Sequence, residues 1–225
     1  GNPTMLVVPV LFEGANTSID LRTPLQAWNL SSVPVGIKNA NGVNLFPGGT
    51  SSNDLSSGYD RAKIAWYNID QRLIEGTFNT PDNIKEDTVA ESYWRQVYTE
   101  DVFPDKEVNT GMNLLTTFDI SYFPKERGPY NFTTTNVDNN GFFTNPQDKF
   151  GGLQRTLDNN NSDFEQSNVE YITFWVQDPF IYNTNTTGGD LYINLGSVSE
   201  DVLKDSRMAF ENGIPYPKDL GKLQE

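Results

Sequence analysis

The chain has 225 residues, with Asp+Glu 30 against Lys+Arg 16 and a formal net charge of -14. This length allows one large domain or two small ones, and without a dense basic patch neither nucleic acid nor an anionic membrane surface is an expected partner. Cys and His are both absent, which removes disulfides, thiolate and imidazole metal sites and the Ser-His-Asp arrangement; paired carboxylates still allow catalysis, so the absence weakens an enzymatic reading without excluding it.

Hydrophobic residues make up 36%, with Phe 14, Tyr 10 and Trp 4, and this aromatic supply favours sheets over helical bundles. No stretch is long and apolar enough for a transmembrane helix. Residues 5–12 form a first strand candidate that Pro9 pushes towards an edge or bend. They are far too short to cross a bilayer, and the basic residues that a signal peptide would want in front are missing. The abrupt start and end read as a piece of something longer. Short extended pieces at 17–21 and 27–30 flank Pro24. Residues 31–60, with Asn41-Gly42 and Pro47-Gly48-Gly49, read as a long surface excursion.

Residues 61–69 form a strand whose two faces can both be largely buried. Residues 83–98 read as a helix, with Asn83 and Glu86 in a capping-box pattern and Val89, Tyr93 and Val97 on an apolar stripe. Residues 113–123 alternate: Leu114, Thr116, Phe118, Ile120 and Tyr122 share one face, and Leu115, Thr117, Asp119 and Ser121 the other. This predicts a half-buried strand ended by Pro124, with a turn at 126–130. Residues 136–161 are loop-rich apart from a short piece at 151–157. Residues 169–176 read as a mid-sheet strand, and 190–195 as a further strand with Leu191, Ile193 and Leu195 inward. A second helix is expected over about 200–212, capped by Ser199 and closed by Gly213.

Together these elements predict a mainly β chain. The expected fold is a jelly-roll-like β-sandwich, galactose-binding-like in shape, with two peripheral helices. It would be a single soluble domain, 1–225, with long surface loops at about 31–60 and 136–161. A membrane barrel fits badly, because the strands are few and unevenly spaced.

Asp158, Asn160, Asp163 and Glu165 crowd oxygen donors into one stretch. With Glu13 from the first strand they could hold calcium, although EF-hand spacing is missing and a solvated polar loop is the simpler reading. No other cofactor is implied. Glu126, Arg127 and Tyr130 could form an interaction corner, or Arg127 could hold the turn through its forked donors. Trp66, Trp94 and Trp175 are expected in cores, and Trp28 is expected to be partly exposed. The loop aromatics Tyr59, Phe142, Phe143, Phe180 and Tyr182 keep a glycan-binding alternative open.

Several runs resemble the SprA/Sov family. They are Leu11-Phe12-Glu13-Gly14, Ser18-Ile19-Asp20-Leu21, Ala27-Trp28-Asn29-Leu30 and Ala62-Lys63-Ile64-Ala65-Trp66-Tyr67, together with 122–132, 163–180, 190–196 and 199–205. The resemblance spans essentially the whole chain. Members are giant outer-membrane proteins of Bacteroidetes-type bacteria that form the translocon of the type IX secretion system and, in gliding species, support motility. For this chain the resemblance implies a non-enzymatic structural and protein-interaction domain, outer membrane-associated and water-exposed on the extracellular or periplasmic side. The implied partners are the remainder of the translocon, accessory secretion proteins and secreted cargo, with no nucleic acid and no direct bilayer insertion by this piece. A carbohydrate- or calcium-binding module at the cell surface is the alternative.

Overall fold

Among the described residues the chain forms six strands. The computed structural model describes residues 4–9, 20–50, 55–70, 80, 82, 96–107, 113–157, 171–178, 180, 186, 188–196 and 198–204. The strands are β1 (Thr4–Pro9), β2 (Trp28–Leu30), β3 (Ala62–Tyr67), β4 (Phe118–Arg127), β5 (Leu153–Arg155) and β6 (Phe174–Val176). One sheet has the order β3-β4-β1-β6, and β2 pairs with β5 in a second. β1 runs antiparallel to β4, with Thr4 opposite Ser121 and Val7 opposite Phe118, and antiparallel to β6, with Val8 opposite Trp175. In the small sheet Trp28 lies opposite Arg155 and Leu30 opposite Leu153.

The expected jelly-roll-like, galactose-binding-like β-sandwich with two peripheral helices does not form, and the sandwich and jelly-roll descriptions fall with it. Among the described residues there is no closed barrel or sandwich: the sheets have four and two strands, and three of the strands are only three residues long. The α-helix among them is α1 (Thr99–Val102), whose first turn is acidic and whose Asp101 carboxylate accepts the Tyr98 N–H at 3.0 Å. Residues 96–98 and 200–204, the described parts of the two expected helices, are not helical; 83–95 and 205–212 lie outside the described residues. No helix among the described residues is long and apolar enough to cross a membrane.

The chain divides into two compact units, and the division passes through β3 after Ile64 and through β4 after Ser121. In the first unit (1–26, 65–121, 157–189) Val97 is buried against Val102 and Leu115. The polar face of β4 is buried too, against expectation. Asp119 is fully buried and accepts the Ile69 N–H at 3.0 Å and the Thr117 hydroxyl at 3.0 Å, and Ser121 meets the Tyr67 hydroxyl at 2.7 Å. Each polar group finds a local partner, so its burial is tolerated.

The second unit (27–64, 122–156, 190–225) buries Leu30, Val33, Ala62, Phe143, Phe150 and Val202. Pro124 does not end β4, which continues to Arg127. The excursion after β2 is also more ordered than its composition suggests, because one loop design occurs twice in this unit. Asn39 Oδ1 accepts the N–H groups of Asn41 and Val43, both at 3.0 Å, and Asp138 Oδ1 accepts those of Asn140 at 2.8 Å and Phe142 at 2.9 Å. In the backbone, Gly42 N–H donates to Asn39, Asn39 N–H to Val43 and Leu45 N–H to Ile37. The matching bonds run from Gly141 to Asp138, Asp138 to Phe142 and Thr144 to Asn136. Gly42 and Gly141 take φ of 76 and 87, the left-handed conformation that the turn demands. A proline then opens a 3-10 turn in each copy, Pro47–Thr50 and Pro146–Asp148. The unit thus repeats strand, Asx-capped hairpin, proline turn and strand, with β2 leading to β3 and β4 to β5.

Candidate interaction surface

The second unit is organised around Arg61, which precedes β3 and is fully buried. It forms a parallel bridge with Phe150: Ala62 N–H donates to Phe150 at 2.8 Å, and Phe150 N–H to Asp60 at 3.0 Å. The guanidinium donates to the Ser31 carbonyl at 2.6 Å and the Val202 carbonyl at 3.4 Å, and lies 5.2 Å from the centre of the Phe150 ring. A cation can be this deep because carbonyls and a ring face replace its hydration. Nearby, Lys149 pairs with Asp60 at 2.7 Å and lies over the Phe143 ring. Tyr122 donates to the Lys149 carbonyl at 2.8 Å, and burial pushes its phenol from 10.0 up to about 12.

The corner at 126–131 is tied to the same centre. The Arg61 carbonyl accepts the Gly128 N–H at 3.1 Å and the Asn131 side-chain amide at 2.6 Å. Glu126 pairs with Lys63 at 2.6 Å, and Arg127 donates to the Thr133 carbonyl at 3.1 Å. Tyr130 is half-buried at φ 60. Trp28 is half-buried in β2, opposite Arg155. The structure therefore draws Glu126 and Arg127 into bonds within their own unit.

Asp158, Asn160, Asp163, Glu165 and Glu13, the candidate calcium ligands, lie outside the described residues. Among the described residues no group of three or more acidic side chains could hold a metal ion. The Asp138 carboxylate, in the other Asn-rich loop, is turned onto its own backbone. Of the loop aromatics, Phe142 is exposed and its neighbour Phe143 is buried, so these two do not form a flat sugar platform. Tyr182 lies outside the described residues.

Among the described residues several apolar side chains are exposed singly, such as Val35, Val43, Leu55 and Phe132, and two stretches expose several close together, one in each unit. In the second unit, Leu191 (54%), Ile193 (51%) and Leu195 (58%) are exposed, along with Tyr192 and Val198. This is the segment expected to be a strand with those three leucine and isoleucine side chains inward. It forms no strand, and among the described residues no backbone hydrogen bond joins 190–196 to a neighbour. The chain just beyond it is held: Val202 is buried with its carbonyl on Arg61, the Ser57 hydroxyl donates to Leu203 at 3.5 Å, and the Lys204 ammonium donates to the Gly49 carbonyl. The Thr156 hydroxyl reaches the Glu200 carboxylate at 3.3 Å.

In the first unit the exposed apolar surface is β6. It was expected in the middle of a sheet but lies at the end of the strand order, and its outer side is unpaired among the described residues. Tyr171 (78%), Ile172 and Val176 are exposed, and so is Trp175, which was expected in a core but is 51% accessible. Unpaired strand edges with apolar side chains are templates for pairing with another chain. The sequence signal for both places was the apolar alternation itself, which marks a strand without saying which molecule supplies its partner.

No protein-family model matches the chain, and no curated protein matches it.

Proposed function

We propose that this chain is a non-enzymatic, protein-interacting piece of a larger outer-membrane export assembly, the role implied by its resemblance to the SprA/Sov family. The observation that carries this reading is the row Leu191, Ile193 and Leu195, exposed on a strand-like segment that has no pairing partner among the described residues. Water-facing apolar side chains in this alternation are typical of a surface that another protein covers. Burial of Val202 and the Lys204 bond to the Gly49 carbonyl hold the chain just beyond that segment. The absence of His and Cys supports a role without catalysis. In this reading the chain is water-exposed on the extracellular or periplasmic side, and its partners are the remainder of the export channel and its accessory proteins.

The test is site-specific photocrosslinking in cells, with a photoreactive side chain at position 193 of the intact parent protein. The reading expects a covalent adduct with another protein or with a distant segment of the parent. Labelling by water or lipid alone would refute it.

A further inference from the structure

The exposed segment carries a second property, its charge environment, and this indicates what kind of protein covers it. From Thr156 to Leu203 the chain contains no Lys or Arg, and Asp190, Glu200 and Asp201 flank the apolar run. The first base beyond it, Lys204, is engaged with the Gly49 carbonyl. The run Asp190-Leu191-Tyr192-Ile193-Asn194-Leu195 combines strand-forming side chains with alternation, so in extended form Leu191, Ile193 and Leu195 share one side. Its backbone donors and acceptors are unspent among the described residues. Gly188 (φ 80) and Gly196 (φ 117) bracket the run and allow it to re-aim without disturbing the anchored 202–204.

Resting on the interaction reading above, we infer that residues 190–196 are added as a strand to the sheet edge of a partner whose exposed edge alternates apolar side chains with Lys or Arg. Backbone pairing supplies the docking geometry, the apolar row supplies the buried contact, and the acidic flanks select a basic edge over an acidic one. A second copy of this chain is the wrong occupant: each copy carries a formal charge of -14, so like charges oppose the encounter.

The probe is a fluorescent synthetic peptide that alternates Val with Lys and Arg, titrated into the full chain and read by anisotropy. Its control has Glu in place of every Lys and Arg. The basic peptide is expected to bind, to weaken as salt is raised, and to bind about ten-fold more tightly than the acidic control. Ile193→Pro removes one backbone donor and disfavours the added strand, in a segment with no backbone hydrogen bond among the described residues, so it should weaken binding about ten-fold while circular dichroism stays unchanged. Equal binding of the two peptides, no binding of the basic one, or indifference to Ile193→Pro would overturn the inference. If position 193 still crosslinks to a protein in cells, such a result refutes only this partner chemistry; loss of the crosslink refutes the interaction reading as well.

Discussion

Replacing Arg61 with Ala tests the centre that holds the second unit together. The wild-type guanidinium is fully buried, donates to Ser31 at 2.6 Å and Val202 at 3.4 Å, and lies 5.2 Å from the Phe150 ring centre. A hydrogen bond from a charged group contributes about 1.5–3 kcal/mol and a desolvated cation–π contact up to roughly 2 kcal/mol. The Val202 bond is long and counts for little. Truncation also leaves the Ser31 carbonyl without this donor and a void beside Phe150. Together these terms put the cost of Arg61→Ala at about 3–5 kcal/mol, a large share of the roughly 5–15 kcal/mol that holds a typical domain folded. Arg61→Lys keeps the charge but loses the fork, and should fall between wild type and Ala. Urea unfolding followed by tryptophan fluorescence, in a background where Trp66, Trp94 and Trp175 are replaced by Phe so that Trp28 alone reports, measures the difference, with the slope compared between variants. A loss below about 1 kcal/mol, or an Ala variant as stable as Lys, would refute the central role given to this side chain.

Other expectations follow from the same bonds. Asp119 is buried with no ion pair among the described residues, and burial raises its carboxyl above 3.8 despite bonds from Ile69 and Thr117. The folded state therefore holds this proton more tightly: the contribution is full below 3.8 and is lost as pH rises through the folded value. Asp119→Asn should flatten that slope in pH-dependent urea melts. Tyr122 titrates at about 12 against an ordinary 10.0, so the stability it contributes falls as pH rises across that interval, and Tyr122→Phe should abolish the loss in alkaline melts. In the repeated hairpins, Asn39→Ala and Asp138→Ala each remove one oxygen that accepts two backbone N–H groups. Both should cost about 1 kcal/mol by thermal unfolding, and a cost confined to one of the two would break the equivalence.

Much of the strand content was legible in the sequence, and the places where reading failed share a physical cause. Residues 62–67 and 28–30 follow their alternation because cross-strand partners are available for them. Residues 190–195 have the same pattern and no partner among the described residues, so pattern alone could not decide their state. Pro124 lacks a backbone donor yet remains inside β4, which locates the strand but not its end. Alternation also misjudged Asp119 and Ser121: polar residues read as solvent-facing are buried here because Ile69 and Tyr67 supply their bonds. The repeated hairpin was visible as Asn39-x-Asn41-Gly42 and Asp138-x-Asn140-Gly141, each followed at equal spacing by proline. What the sequence could not show was that both first side chains cap the same two backbone positions. Of the proposed sites, the corner at Glu126 and Arg127 was found as a turn but not as a spoke of the Arg61 centre, because its tie is made by the Gly128 N–H and the Asn131 side-chain amide to the Arg61 backbone carbonyl, an acceptor that every residue carries and no residue pattern records.

Hydrogen–deuterium exchange over residues 190–196, measured in the isolated chain and in the intact parent assembly, tests most directly whether this segment is covered by protein. The account predicts unprotected amides in the isolated chain and strong protection of alternate amides once the assembly is complete. Equally fast exchange in both states would contradict it.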